Sequence, residues 1–245
     1  MDNIKEEFIS TLSHEIRTPL TSIKGFSKTM LDSWECLSDE QKKKFLTIIS
    51  EQSQRLINLV ENVLNVSKID SGADDTVLKK TDIINVLNSA ISIVKMNHKN
   101  FDFNVTVRSG EAALADTNKL QQVLINILDN AAKYSKDSNK VDILVKNDKN
   151  YVLISVKNYG TEIEEKYLDK IFEKFYRIDT YLKSSAQGSG LGLYITRHLL
   201  ESMGGKIEVI SPAGENFCEF SVYIPLYEVE NATRKAISGA ATGES

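Results

Sequence analysis

The sequence predicts an α+β fold in two parts, an N-terminal helical hairpin followed by an α/β sandwich. Three observations carry this expectation. Over residues 1–71 the apolar side chains recur every three to four positions, as on one face of a helix. After Gly72 the period drops to two, in "FNVTVRS", "VDILVKN", "YVLISVKN", "GKIEVIS" and "CEFSVYIP". Between these strands lie helical patterns at about 83–99, 117–134, 164–171 and 190–203, and strands mixed with helices imply one sheet with helices packed on it.

The hairpin comes first. Ile4, Phe8, Leu12, Ile16, Leu20, Ile23, Phe26 and Met30 make one stripe along a long helix. The break "DSWECLSDE" ends it, and Ser38 with Gln41 has the pattern of a capping box for a second helix. That helix carries Phe45, Ile49, Leu56, Leu59, Val63 and Val66 on its apolar face, and Gly72 stands where a left-handed residue follows a C-cap. A lone hairpin buries such stripes poorly. Pairing with a second copy makes a four-helix bundle that covers them, so residues 1–71 are expected to form a homodimer. Residues 72–82 are expected as a linker and 83–228 as the sandwich domain. The tail 229–245, small and polar, is expected to be disordered or appended.

Composition limits the function classes. The 245 residues are 41% hydrophobic and 26% charged, ordinary for a globular protein. Thirty basic against 34 acidic residues give a net charge of −4, so nothing points to nucleic acid as a partner. Cys36 and Cys218 fit no metal spacing, which suits a reduced cytoplasmic setting. No apolar run reaches the roughly 20 residues that span a bilayer. The sequence opens inside a helical pattern, so any membrane attachment is expected to come from segments upstream.

One histidine stands apart. In "FISTLSHEIRTPL", His14 lies two residues from both Leu12 and Ile16. At about 100° per residue it points some 160–200° away from the apolar stripe, into solvent. A surface histidine is commonly no more than a solvated side chain. Here Glu15 offers a carboxylate to the ring, which fixes the tautomer and leaves the other nitrogen more nucleophilic. Pro19 removes one helical hydrogen bond just beyond. His98 and His198 are remote in sequence, so a metal site has no partners here.

"FISTLSHEIRTPLTSIKGF" resembles the H-box of the sensor histidine kinases of two-component systems. The resemblance implies that His14 is phosphorylated from ATP and passes the phosphoryl group to an aspartate of a response regulator. It also implies that the helical hairpin is the family's dimerisation and phosphotransfer domain, and that the sandwich is its ATP-binding domain. Glu15 is then the acid/base neighbour, and Thr18 the residue that orients water when the regulator is dephosphorylated.

The second part carries matching boxes. In "KLQQVLINILDNAAKY", Leu120, Val123, Leu124, Ile127, Leu128 and Ala131 form an apolar face, and Asn126, Asn130 and Lys133 share the other. Read alone, that polar face is either solvated or a nucleotide site. Asparagine oxygens suit Mg²⁺ and lysine suits a phosphate. The stretch resembles the family's N-box, which implies Asn130 as the Mg²⁺ ligand, Lys133 as a phosphate contact and Tyr134 as an adenine neighbour. An amide at Asn126 cannot act as the base of an ATP-hydrolysing relative. "GSGLGLY" resembles the glycine-rich box, with Gly188, Gly190 and Gly192 letting backbone approach phosphates at a helix N-terminus. "IFEKFYRID" resembles the F-box, with Phe172, Phe175 and Arg177, the arginine facing the γ-phosphate. The polar stretch "IDTYLKSSAQ" is expected as a lid over the nucleotide.

One box departs from the pattern. Where the family has Asp-x-Gly-x-Gly, this chain has "NYGTEI": Asn158, Gly160 and Glu162. An aspartate there accepts from the adenine amino group. Asn158 keeps one acceptor without the charge, and Glu162 adds bulk and a carboxylate, so weakened ATP binding is expected. The resemblance covers about residues 3–227 and implies an ATP-dependent histidine kinase core. The second reading is a degenerate kinase acting as a dimeric interaction module.

Overall fold

The computed structural model describes residues 2–72, 75–110, 112–135, 138–160, 162–178 and 189–227, with side chains from residue 12 onward. The chain divides into two compact units, residues 1–73 and 74–245.

The first unit is the hairpin. Helix α1 (Asp2–Ser33) and helix α2 (Asp39–Asp70) are joined by a 3₁₀ turn over Trp34–Cys36. The capping box forms as the sequence indicates: Ser38 Oγ accepts from the Gln41 N–H at 3.2 Å, and Gln41 Oε1 accepts from the Ser38 N–H at 2.9 Å. Helix α2 ends before Gly72, whose φ of 66° is the left-handed conformation that glycine adopts without strain. Between the helices Met30, Leu59 and Val66 are buried and Phe26 stacks on Phe45 at 5.1 Å. The expected stripe is only part of the apolar surface. Leu20, assigned to it, stays 48% exposed, and α2 shows a further row in Leu46, Ile57, Val60 and Leu64. A single hairpin leaves that row in water.

The second unit is a five-stranded mixed sheet with helices over it. Strands β2 (Asp102–Val107), β4 (Lys140–Asp148), β5 (Tyr151–Tyr159), β7 (Phe217–Pro225) and β6 (Lys206–Ile210) lie in the order β2-β4-β5-β7-β6. The β2–β4 pair is parallel and the other pairs are antiparallel. Alternation sorts the faces. Val141, Ile143, Val145, Val152, Ile154, Val156, Val222 and Ile224 point to one side and form one core with helices α3 (Ile83–Asn97), α4 (Thr117–Tyr134) and α5 (Gly192–Ser202). On the other side Ser155 donates to Glu219, Tyr159 donates to Asp142 at 2.5 Å, and the Lys157 ammonium sits 3.5 Å from the Phe217 ring centre.

Two expectations need correction. Strands β1 (Lys79–Asp82) and β3 (Ala112–Ala115) pair antiparallel in a ribbon. "KKTD" and "AALA" lack the β-branched, alternating pattern that marks a strand, so they form because the unit's packing holds them. The expected linker 72–82 thus includes a strand of the second unit. The helix expected at 164–171 is two 3₁₀ turns, Glu165–Tyr167 and Lys170–Phe172, a common connector for so short a segment. The expected tail 229–245 lies outside the described residues. No helix among the described residues is long and apolar enough to cross a membrane.

Asp116 ties the second unit together. Its carboxylate caps α4 by accepting from Asn118 and Lys119 and also accepts from the Val77 N–H at 3.1 Å. Burial pushes this carboxyl up, but the three backbone N–H groups outweigh it and hold the pKa below the usual value. A lowered folded pKa contributes stability above the unfolded value near 3.9, and that stability is lost as pH falls through the folded value. Asp116→Ala is therefore expected to cost about 1 kcal/mol at pH 7, as for other N-caps. Urea unfolding of both proteins at pH 7 and near pH 3 checks this, with the difference narrowing in acid.

Candidate functional site

His14 is exposed on α1, as its phase against the stripe requires, with Leu12 and Ile16 half-buried. Glu15 is not idle beside it. Its carboxylate accepts from Arg55 Nη2 on α2 at 3.0 Å, both side chains being largely shielded. Sequence reasoning missed Arg55. The signal available was the hairpin itself: residues 15 and 55 lie equally far either side of the turn at Glu35. Thr18 donates its hydroxyl to the His14 carbonyl at 3.1 Å, one turn back, which leaves its oxygen able to accept. Pro19 is buried within α1. A shallow groove of about 420 Å³ runs along this side of α1, lined by Ser13, Ile16, Arg17, Leu20, Thr21 and Lys24.

In the second unit the polar side chains gather on α4, at the end of β5 and at the start of α5. Helix α4 buries Leu120, Val123, Leu124, Ile127 and Leu128 completely. That fixes Asn126, Asn130 and Lys133 on the half-buried to exposed side. Asn126 reaches helix α5. Its Nδ2 donates to Thr196 Oγ1 on α5 at 2.8 Å, and its Oδ1 lies so close to the Gly192 Cα that a Cβ there would strike it. Asn126 is the pin between α4 and α5. Asn130 carries no side-chain hydrogen bond among the described residues. Lys133 pairs with Asp129 at 2.5 Å, and the other oxygen of Asp129 meets His98 Nε2 at 2.9 Å. Tyr134 is 38% exposed at the end of the helix.

The glycines divide by what they make possible. Gly190 has φ 69°, and a Cβ on it would stand 2.7 Å from the Phe175 carbonyl carbon. Phe175 itself has φ 63° and donates its N–H to the Gly190 carbonyl at 3.0 Å. The two boxes "IFEKFYRID" and "GSGLGLY" are thus locked backbone to backbone, which only glycine at 190 permits. Helix α5 begins at Gly192 with no side-chain cap from Leu191, and among the described residues no side chain takes up its first N–H groups. Arg177 is exposed beside this turn in sequence. Gly188 and most of the expected lid lie outside the described residues.

At the end of β5, Gly160 has φ 129° and donates its N–H to the Asn216 carbonyl at 2.8 Å, while Ser135, just after α4, donates to the Tyr159 carbonyl. Asn158 is 2% exposed on the helix-facing side, and its Nδ2 is buried without a hydrogen-bond partner. The Glu162 carboxylate accepts from the Asn216 N–H at 2.8 Å, holding the turn between β6 and β7. Among the described residues no cluster of three or more His, Cys, Asp or Glu could hold a metal. A hard cation here must rely on oxygens such as the unpaired amide of Asn130, which suits Mg²⁺ shared with phosphates.

This arrangement agrees with the comparisons. Residues 4–72 match the His Kinase A (phospho-acceptor) domain. Residues 115–228 match the histidine kinase-, DNA gyrase B- and HSP90-like ATPase. The chain belongs to the sensor histidine kinases of two-component systems. It is 30% identical over 217 residues to the sensor protein SrrB of Staphylococcus aureus, spanning 88% of this chain and 37% of that protein. The solved structure of the histidine kinase ThkA in complex with response regulator protein TrrA superposes with a TM-score of 0.66 at 27% identity, covering 91% of this chain and 62% of that one. Full-length ShkA in complex with AMPPNP gives 0.65 at 28% identity, covering 90% of this chain and 45% of that one.

Gly192 supplies a test of the pin. In an ordinary helix Gly→Ala stabilises by up to about 1 kcal/mol. Here the added methyl meets Asn126, so Gly192→Ala is expected to destabilise by about 1–3 kcal/mol. A denaturant double-mutant cycle should show Asn126→Ala costing less in the Gly192→Ala background than alone.

Proposed function

We propose that this chain is the cytoplasmic, ATP-using core of a two-component sensor kinase. His14 takes the γ-phosphoryl group of Mg-ATP and hands it to an aspartate of a response regulator. The observation that carries the reading is an exposed imidazole in an H-box beside a carboxylate that Arg55 holds in place. In the first step a ring nitrogen of His14 bonds to the γ-phosphorus, the bond to the β,γ-bridging oxygen breaks, and ADP leaves. Glu15 accepts the charge and proton that develop on the imidazole, with Arg55 setting its orientation. The protein's part in such a transfer is positioning and charge neutralisation. Asn130 would supply oxygen to Mg²⁺, the open N-terminus of α5 and Lys133 would meet phosphates, and Arg177 the γ-phosphate. Asn126 serves that site by holding α5 against α4. Asn158, Gly160 and Tyr134 frame the base.

The test is isotopic. With [γ-³²P]ATP the protein should take up label that is lost in acid and survives base, as a phosphoramidate is, and His14→Ala should take up none. Label retained by His14→Ala would overturn the assignment. With a phosphorylated regulator in the same assay, Thr18→Ala should slow loss of regulator phosphate and leave labelling of His14 within about twofold.

A second copy and a regulator are the partners proposed for the hairpin. The uncovered row Leu46, Ile57, Val60 and Leu64 on α2 suits the core of a four-helix bundle. Arg17 and Lys24, which line the groove on α1, suit the acidic pocket of a receiver domain. Light scattering should give twice the chain mass, and Leu64→Glu should weaken the dimer at least tenfold by burying a charge at that seam. A wild-type monomer at high micromolar concentration would exclude it. No observation favours the reading as an interaction module without nucleotide.

A further inference from the structure

Asn158 is the one buried side-chain group among the described residues with an unmade hydrogen bond. It stands near the end of β5, on the side that packs against the helices, and is 2% exposed. Its cross-strand neighbours are Val141 on β4 and Cys218 on β7. Val141 has nothing to accept a proton, and burial holds the Cys218 thiol neutral by pushing its pKa up to about 12. Buried donors in folded proteins are nearly always paired, so an orphan of this kind marks a place where a partner arrives. The carbonyl and N–H groups nearby are committed: Gly160 to Asn216, and the Tyr159 carbonyl to Ser135. None of the described residues supplies the acceptor, which leaves the place to one that arrives from outside.

We propose that Asn158 makes this nucleotide pocket accept 6-oxopurine triphosphates alongside ATP. The inference rests on the reading of the second unit as a nucleotide site. A carboxylate offers only acceptors, so it holds the 6-amino group of adenine and repels the 6-oxo oxygen of hypoxanthine or guanine. A carboxamide offers one acceptor and one donor. With adenine, Oδ1 accepts from the amino group and Nδ2 donates to ring N1. With a 6-oxopurine, a half-turn of the same amide lets Nδ2 donate to O6 while Oδ1 accepts from N1–H. Either base pairs the orphan donor, and neither is rejected. Glu162, the other departure in this box, is held by the Asn216 N–H and leaves this edge to Asn158.

Inosine triphosphate is the probe, because its base differs from adenine only at position 6 and the N1 proton. Calorimetry with Mg-ATP and Mg-inosine triphosphate on the full chain should give dissociation constants within tenfold of each other. The Asn158→Asp variant should weaken inosine triphosphate relative to ATP at least tenfold. A thermal melt with and without ATP shows whether that variant is folded; if it is not, the wild-type ratio decides. A wild-type preference for ATP above tenfold, or a ratio unchanged in folded Asn158→Asp, overturns the proposal and leaves the nucleotide site standing. Failure of wild type to bind either nucleotide overturns both.

Discussion

The larger unit depends on α4 keeping its two faces apart. Leu120, Val123, Leu124, Ile127 and Leu128 are fully buried against the sheet and the neighbouring helices. Each is worth roughly 1.5–3 kcal/mol in surface removed from water. No rotation of α4 keeps all five buried, so the opposite side is fixed in direction as firmly as the core is fixed in content. Asn126, Asn130 and Lys133 inherit their orientation from leucines they never touch. The next helix is then referenced to this one: Gly192 allows α5 to come down on Asn126, and Thr196 receives its amide. The glycine-rich turn is therefore placed by the hydrophobic core at one remove.

Much of this was legible in the sequence because periodicity reports packing. The long helices, the five strands of the main sheet and the polar side of α4 all follow from spacing. What spacing does not report is pairing across the chain. "KKTD" and "AALA" become strands only because each is the other's partner. The Glu15–Arg55 ion pair joins residues 40 apart, and a residue type alone does not say which carboxylate an arginine meets. Spacing puts Asn126 and Asn130 one turn apart on the same side of α4. The two amides are distinguished by their partners among the described residues: Thr196 on α5 for Asn126 and none for Asn130.

The hairpin shows the same division between direction and purpose. Phase alone puts His14 in water, since two residues of helical turn carry it away from Leu12 and Ile16. Phase cannot say why α2 carries apolar residues on more than the face that meets α1. Leu46, Ile57, Val60 and Leu64 remain half-exposed or more, a cost that a chain with no use for them would shed by polar substitution. Within the hairpin itself α1 leaves this row uncovered, which is the observation behind the proposed pairing with a second copy.

The box "NYGTEI" was read from sequence as two losses, and the structure separates them. Glu162 has a protein donor and stays with it. Asn158 has none, although every flanking position of β5 on its side is apolar and well packed. Leaving a buried amide N–H unpaired costs about 1–3 kcal/mol, comparable to the loss of a core methylene or two. An apolar residue there would avoid that cost and pack equally well beside Val141 and Cys218. A sequence that agrees with its fold at nearly every other buried position and departs from it here places the departure where a ligand can repay it. The same amide that weakens one contact to adenine adds a second kind of contact, and the balance between those two effects is a property of Asn158 itself.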